Sequence, residues 1–115
     1  MPLLKLETNV ALSDDTRKSL LETLSKIVAQ TLGKPEDYVM VVISSASIVI
    51  SATPGDAAFV DLRSIGGLGE AVNRQLSKKV CTLLSESLNI SPDRVYLNFI
   101  NLDGMNWGWN GNTFG

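Results

Sequence analysis

Leu20-Leu21-Glu22-Thr23-Leu24-Ser25-Lys26-Ile27-Val28-Ala29-Gln30-Thr31-Leu32, followed by Gly33-Lys34-Pro35, is the stretch on which the fold turns. Leu20, Leu21, Leu24, Ile27, Val28, Thr31 and Leu32 follow the i, i+3, i+4, i+7 spacing of a helix with one buried face. Gly33 ends that helix, and Pro35 prevents its resumption. Upstream, Ser13 is a suitable N-cap, and Asp14 and Asp15 suit the positive end of the helix dipole. The pattern then returns. Leu20, Leu24, Ile27, Val28 and Leu32 are matched further on by Leu76, Val80, Leu83, Leu84 and Leu88. With one residue inserted, Pro35, Asp37, Val39 and Ile43 meet Pro92, Arg94, Tyr96 and Ile100. A period of about 55–60 residues holds a whole β-α-β unit with its crossover helix.

The segments around the helices supply the strands. Leu4, Leu6 and Thr8 alternate with Lys5, Glu7 and Asn9, which predicts a strand over Leu3–Val10. Tyr38–Ile43 is an almost unbroken apolar run, as expected of a strand covered on both faces. Ser44–Ser47 reads as a turn, Ile48-Val49-Ile50 as a short strand, and Thr53-Pro54-Gly55-Asp56 as another turn. A strand over Ala58–Ile65 leads through Gly66, Gly67 and Gly69 into the second helix. Ser91-Pro92-Asp93 breaks that helix, Val95–Ile100 is a strand, and the tail from Asn101 is rich in Gly, Asn and Trp. The expected fold class is α+β. One domain spans residues 1–115 as two pseudo-repeat halves of about 1–56 and 57–115, with a four-stranded mixed sheet, short extra strands and two helices on one face. Two helices leave the other sheet face and the sheet edges uncovered, so a closed homo-oligomer is expected.

Composition narrows the chemistry. At 115 residues, 44% hydrophobic and 19% charged, the chain reads as an ordinary soluble globular domain. A net charge of −2 and no basic run argue against a nucleic-acid surface or a polybasic membrane patch. No apolar stretch is long enough to span a bilayer, and Lys5 and Glu7 interrupt any signal-peptide core, so a cytoplasmic location is expected. The single cysteine, Cys81, forms no intrachain disulfide, and a small buried hydrophobe is its expected role. Histidine is absent, which removes Ser-His-Asp and Cys-His catalysis together with the commonest metal ligand. No metal or cofactor is expected. An acid–base group must come from elsewhere.

Met1-Pro2-Leu3-Leu4-Lys5-Leu6 offers one. Proline has no N–H and begins a strand poorly. Once Met1 is removed, however, Pro2 becomes a secondary amine. Burial against the apolar run behind it would lower its pKa from the α-amino range toward neutrality, where a general base works well.

Several strings add to this. Thr8-Asn9-Val10, Gly33-Lys34-Pro35, Ser64-Ile65-Gly66, Asn73-Arg74, Ile90-Ser91-Pro92-Asp93-Arg94-Val95-Tyr96, Asn98, Gly108-Trp109-Asn110 and Thr113-Phe114 stand in order along essentially the whole chain. Together with Pro2 they resemble the macrophage migration inhibitory factor (MIF) family of the tautomerase superfamily. The resemblance implies a homotrimer with an active site at each subunit boundary, and keto–enol tautomerisation of phenylpyruvate-like α-keto acids. It implies Pro2 as the base, with Lys34, Ser64 and the backbone N–H of Ile65 binding substrate. Tyr96 and Asn98 would come from the neighbouring subunit, and Tyr38, Trp107, Trp109 and Phe114 would line the pocket.

Departures from the family pattern mark what is particular here. Ala57 and Val60 stand where animal cytokine members carry a Cys-x-x-Cys pair, so no thiol–disulfide activity of that type is expected. Trp107 replaces a smaller aliphatic near the pocket mouth, and an indole there should change which substrates fit. Arg63, Phe99 and Leu12 also differ from the animal residues. Two other functions fit the same residues. One is a binding or signalling protein with a vestigial pocket. The other is a superfamily variant that uses Pro2 for another small-acid reaction.

Overall fold

The computed structural model describes residues Met1–Gly115. Strand β1 (Pro2–Thr8), helix α1 (Asp14–Leu32) and strand β2 (Met40–Ser45) form the first half; β3 (Ala58–Ser64), α2 (Glu70–Leu88) and β4 (Val95–Asn101) form the second. A two-stranded hairpin of β5 (Gly108–Trp109) and β6 (Asn112–Thr113) closes the chain. The sheet order is β2-β1-β3-β4. Each outer strand runs parallel to its own half's first strand, and β1 and β3 meet antiparallel at the centre.

Local chemistry accounts for the element ends. The Ser13 hydroxyl accepts from the Thr16 N–H at 3.1 Å, with Asp14 and Asp15 in the first turn. Gly33 ends α1 in the left-handed region at φ 67°, and Asn89 does the same for α2 at φ 56°. One face of each central strand is buried: Pro2, Leu4, Leu6 and Thr8 of β1, and Ala58, Val60, Leu62 and Ser64 of β3. Leu20, Leu24 and Val28 of α1 and Leu76, Val80 and Leu84 of α2 pack on that face. Burying each such side chain contributes about 1.5–3 kcal/mol.

Three sequence expectations shift. β1 stops at Thr8 rather than Val10, because Thr8 Oγ1 donates to the Ala57 carbonyl at 2.8 Å and accepts from the Val10 N–H at 3.2 Å, turning the chain away. Tyr38 lies outside the second strand, in a 3₁₀ turn in which its N–H donates to the Pro35 carbonyl at 3.2 Å. The strand instead runs on through Ser44 and Ser45, which pair with Glu7 and Thr8. Ile48-Val49-Ile50 forms no strand, only a bridge from Ile50 to Thr53, since no strand of the same chain lies alongside.

The second sheet face is bare. Across it run three rows: Met40, Leu3, Arg63 and Ile100; Val42, Lys5, Asp61 and Asn98; and Ser44, Glu7, Phe59 and Tyr96. The charged residues sit on the two central strands, where Arg63 pairs with Asp61 at 3.1 Å and Lys5 with Glu7 at 3.7 Å. Leu3 and Phe59 share those central strands, and the most exposed large side chains of the face lie on the edge strands: Met40 is 62% and Tyr96 63% exposed.

Candidate active site

The head of β1 tolerates a proline for a geometric reason. Pro2 stands opposite Ser64, and the flanking backbone bond runs from the Ile65 N–H to the Met1 carbonyl at 3.4 Å. In such a pair neither residue donates across to the other, so the missing N–H of Pro2 leaves no gap in the β1–β3 ladder. The Pro2 side chain is buried and Met1 half-buried.

Three other segments converge there. The left-handed turn at Gly33 releases Lys34 from α1, and Lys34 Nζ donates to the Ile65 carbonyl at 2.9 Å. Gly67, at φ +86°, leaves room for that side chain: a Cβ there would lie 3.2 Å from Lys34 Cε. The C-terminal hairpin brings Trp109 and Phe114, whose rings stack 5.9 Å apart at 12°. Phe114 is anchored by its N–H, which the Gly104 carbonyl accepts at 3.1 Å and the Trp107 carbonyl at 3.2 Å. The result is a cleft of about 400 Å³ lined by Met1, Lys34, Tyr38, Ile65, Trp109 and Phe114. A second cleft of about 410 Å³ shares Met1, Tyr38 and Trp109 and adds Pro2, Asp37, Met40 and Trp107 among its walls.

The electrostatics favour a neutral amine. Burial, and secondly the charge of Lys34, hold the chain's N-terminal amine below its ordinary value of 8.0. Elsewhere, Cys81 lines a depression of about 470 Å³ beside α2. There burial pushes the thiol up, away from the nucleophilic thiolate.

Of the residues singled out from sequence, Pro2, Lys34, Ile65, Tyr38, Trp107, Trp109 and Phe114 come together. Ser64 lies beneath the cleft rather than in its wall, with its side chain fully buried on the helix side. Tyr96 and Asn98 point from the bare sheet face. Tyr96 aligns through Phe59 with Glu7, about 17 Å along β1 from Pro2 at the usual strand rise, so this chain does not bring it to its own cleft. Met1, Asp37, Met40 and Gly67 were not singled out from sequence. Asp37 stands beside Tyr38 in the turn that delivers both, which is the one signal that could have found it.

An N-terminal amine, a cation and a backbone N–H thus meet at the head of a tandem β-α-β sheet. The whole chain, residues 1–115, matches the family model described as macrophage migration inhibitory factor (MIF). It is 42% identical to macrophage migration inhibitory factor of Rattus norvegicus over 115 residues, covering 99% of each chain. The crystal structure of a homologue from Prochlorococcus marinus superimposes with a TM-score of 0.93 at 35% identity, covering 98% of this chain and 99% of that one. A MIF-like protein from Entamoeba histolytica gives a TM-score of 0.94 at 27% identity, covering 98% of both chains. This chain belongs to the MIF family.

Proposed function

We propose that this protein is a keto–enol tautomerase of phenylpyruvate-like aromatic α-keto acids, with the Pro2 amine as general base after Met1 is removed. The observation that carries the reading is an N-terminal amine held low by burial and Lys34 at the mouth of an aromatic cleft. Pro2 is more buried than Met1, and in this reading its amine takes over both causes when it becomes the terminus.

The reaction balances without further reagents. The Pro2 lone pair takes a proton from the carbon beside the ketone. The C–H electrons form the new C=C bond, and the carbonyl π pair moves to oxygen. Removing Met1 frees the Ile65 N–H from the Met1 carbonyl, and that donor faces the developing negative oxygen. Lys34 spends one N–H on the Ile65 carbonyl and keeps two for the substrate carboxylate or oxygen. The Pro2 ammonium then returns its proton to oxygen, completing a 1,3-shift. In this reading the protein is a homotrimer, single-domain subunits cover one another's bare sheet faces, and Tyr96 and Asn98 complete a neighbour's cleft. Trp107 narrows the second cleft and sets which side chain of the acid fits.

The test is phenylpyruvate turnover on two samples distinguished by intact mass. Protein lacking Met1 should turn over, and protein retaining it, whose Pro2 nitrogen is an amide, should lose about 10²-fold or more of kcat. Equal activity in the two samples would overturn the reading.

A further inference from the structure

Ser64 Oγ is the one buried side-chain polar atom in this protein without a hydrogen-bond partner. A buried hydroxyl left unpaired is destabilising, so its place calls for an explanation. Ser64 is fully buried and stands directly opposite Pro2 on the same face of the sheet. The pair is of the kind in which the backbone bonds fall outside it, as the Ile65-to-Met1 bond shows, and in such pairs the side chains stand closest. While Met1 is attached, the Pro2 nitrogen is a tertiary amide with neither an N–H nor a basic lone pair, and it has nothing to offer the hydroxyl. Removing Met1 gives that nitrogen one N–H and one lone pair.

We propose that Ser64 is a positioning residue for the Pro2 amine: once Met1 is gone, its hydroxyl oxygen accepts the Pro2 N–H and leaves the lone pair facing the cleft. An amine nitrogen inverts freely, and an unanchored one would turn its lone pair away for part of the time. The proton count is consistent. In the neutral amine, the single N–H goes to Ser64 and the lone pair to the substrate. In the ammonium, the original N–H stays on Ser64 and the newly gained one faces the cleft, ready to be returned. Ser64 exchanges no proton with the substrate. The charged or titratable groups around the amine are Lys34 and Tyr38 in the first cleft and Asp37 in the second. None of them is hydrogen-bonded to the Ser64 hydroxyl.

The inference rests on the tautomerase reading in one respect, that the Pro2 amine is free. The experiment therefore does not depend on turnover. Four proteins are compared: the natural chain and Ser64→Ala, each with Met1 removed and each with Met1 retained by blocking its removal. Thermal unfolding midpoints are read at one protein concentration, and the Pro2 amine is titrated by ¹⁵N NMR in the trimmed pair. With Met1 retained, Ser64→Ala should leave the midpoint unchanged or raise it, because it deletes an unpaired hydroxyl. With Met1 removed, it should lower the midpoint by several degrees. It should also lower the pKa of Pro2, since the ammonium loses an acceptor. Equal midpoint changes in both backgrounds with an unmoved Pro2 titration would overturn the proposal, even in an active tautomerase. The expected coupling in a protein that turns over no phenylpyruvate would uphold it and remove only the reaction.

Discussion

Lys34 reaches the head of β1 because Gly33 turns the chain out of α1 and Gly67 leaves space beside its path. Two separate effects should follow from removing its charge. Lys34→Ala takes away the second of the two causes that hold the N-terminal amine low, so the acid limb of the kcat/KM profile should move to higher pH. The same change should raise KM for an α-keto acid about tenfold, as one charge-assisted contact is lost. A pH–rate profile that stays in place would separate Lys34 from the amine. Stability carries the same signature in protein that retains Met1. Its amine binds a proton more weakly when folded than when unfolded, so the unfolded chain holds more protons between the lowered value and the ordinary 8.0. Stability should therefore rise with pH across that window and level off above it. Denaturant midpoints should show the rise, and an N-acetylated sample should lack it. Gly67→Ala is the steric counterpart. It forces a side chain into φ +86° and toward Lys34 Cε, and should weaken substrate binding while Lys34 keeps its charge.

At the scale of elements, the repeat read from the sequence also describes the energetics. Leu24 of α1 and Leu84 of α2 are both fully buried in the core, each matched in the repeat by a buried valine, Val80 and Val28. Leu24→Ala and Leu84→Ala should each cost about 2–5 kcal/mol in chemical denaturation, with neither helix dispensable. The helices and central strands were legible because one buried face writes a clear period. What was illegible depended on partners distant in sequence. Nothing near Arg94 shows that its guanidinium donates to the carbonyls of Ile50, Gly55 and Asp56. The C-terminal hairpin was legible in principle. Asn110-Gly111 is the dipeptide favoured by tight hairpin turns, and both residues have positive φ, at 52° and 77°. In the site, the recurring strings pointed to Pro2, Lys34 and the aromatics. The buried position of Ser64 depended on its register with Pro2, which only the paired strands reveal.

The whole molecule places charge where a sheet is usually dry. Lys5, Glu7, Asp61 and Arg63 sit at the centre of the bare face, while Met40 and Tyr96 flank them near the edges. Subunits packed around that face would therefore bury its margins and leave a wet middle. The proposed shared site can be tested by complementation. Pro2→Gly and Asn98→Ala should each be weak alone. Co-assembled, they should recover part of the activity, because an intact Pro2 then meets an intact Asn98 from its neighbour. No recovery in verified mixed oligomers would place the whole site within one chain. The convergence of Met1 and Phe114 on one cleft has a practical consequence. A purification tag fused at the front would bury the proposed base in a peptide bond, and one fused at the back would pull on the aromatic wall. Fluorophores and affinity handles belong instead on outward helix positions such as Lys26 or Glu86, where neither end of the chain is disturbed.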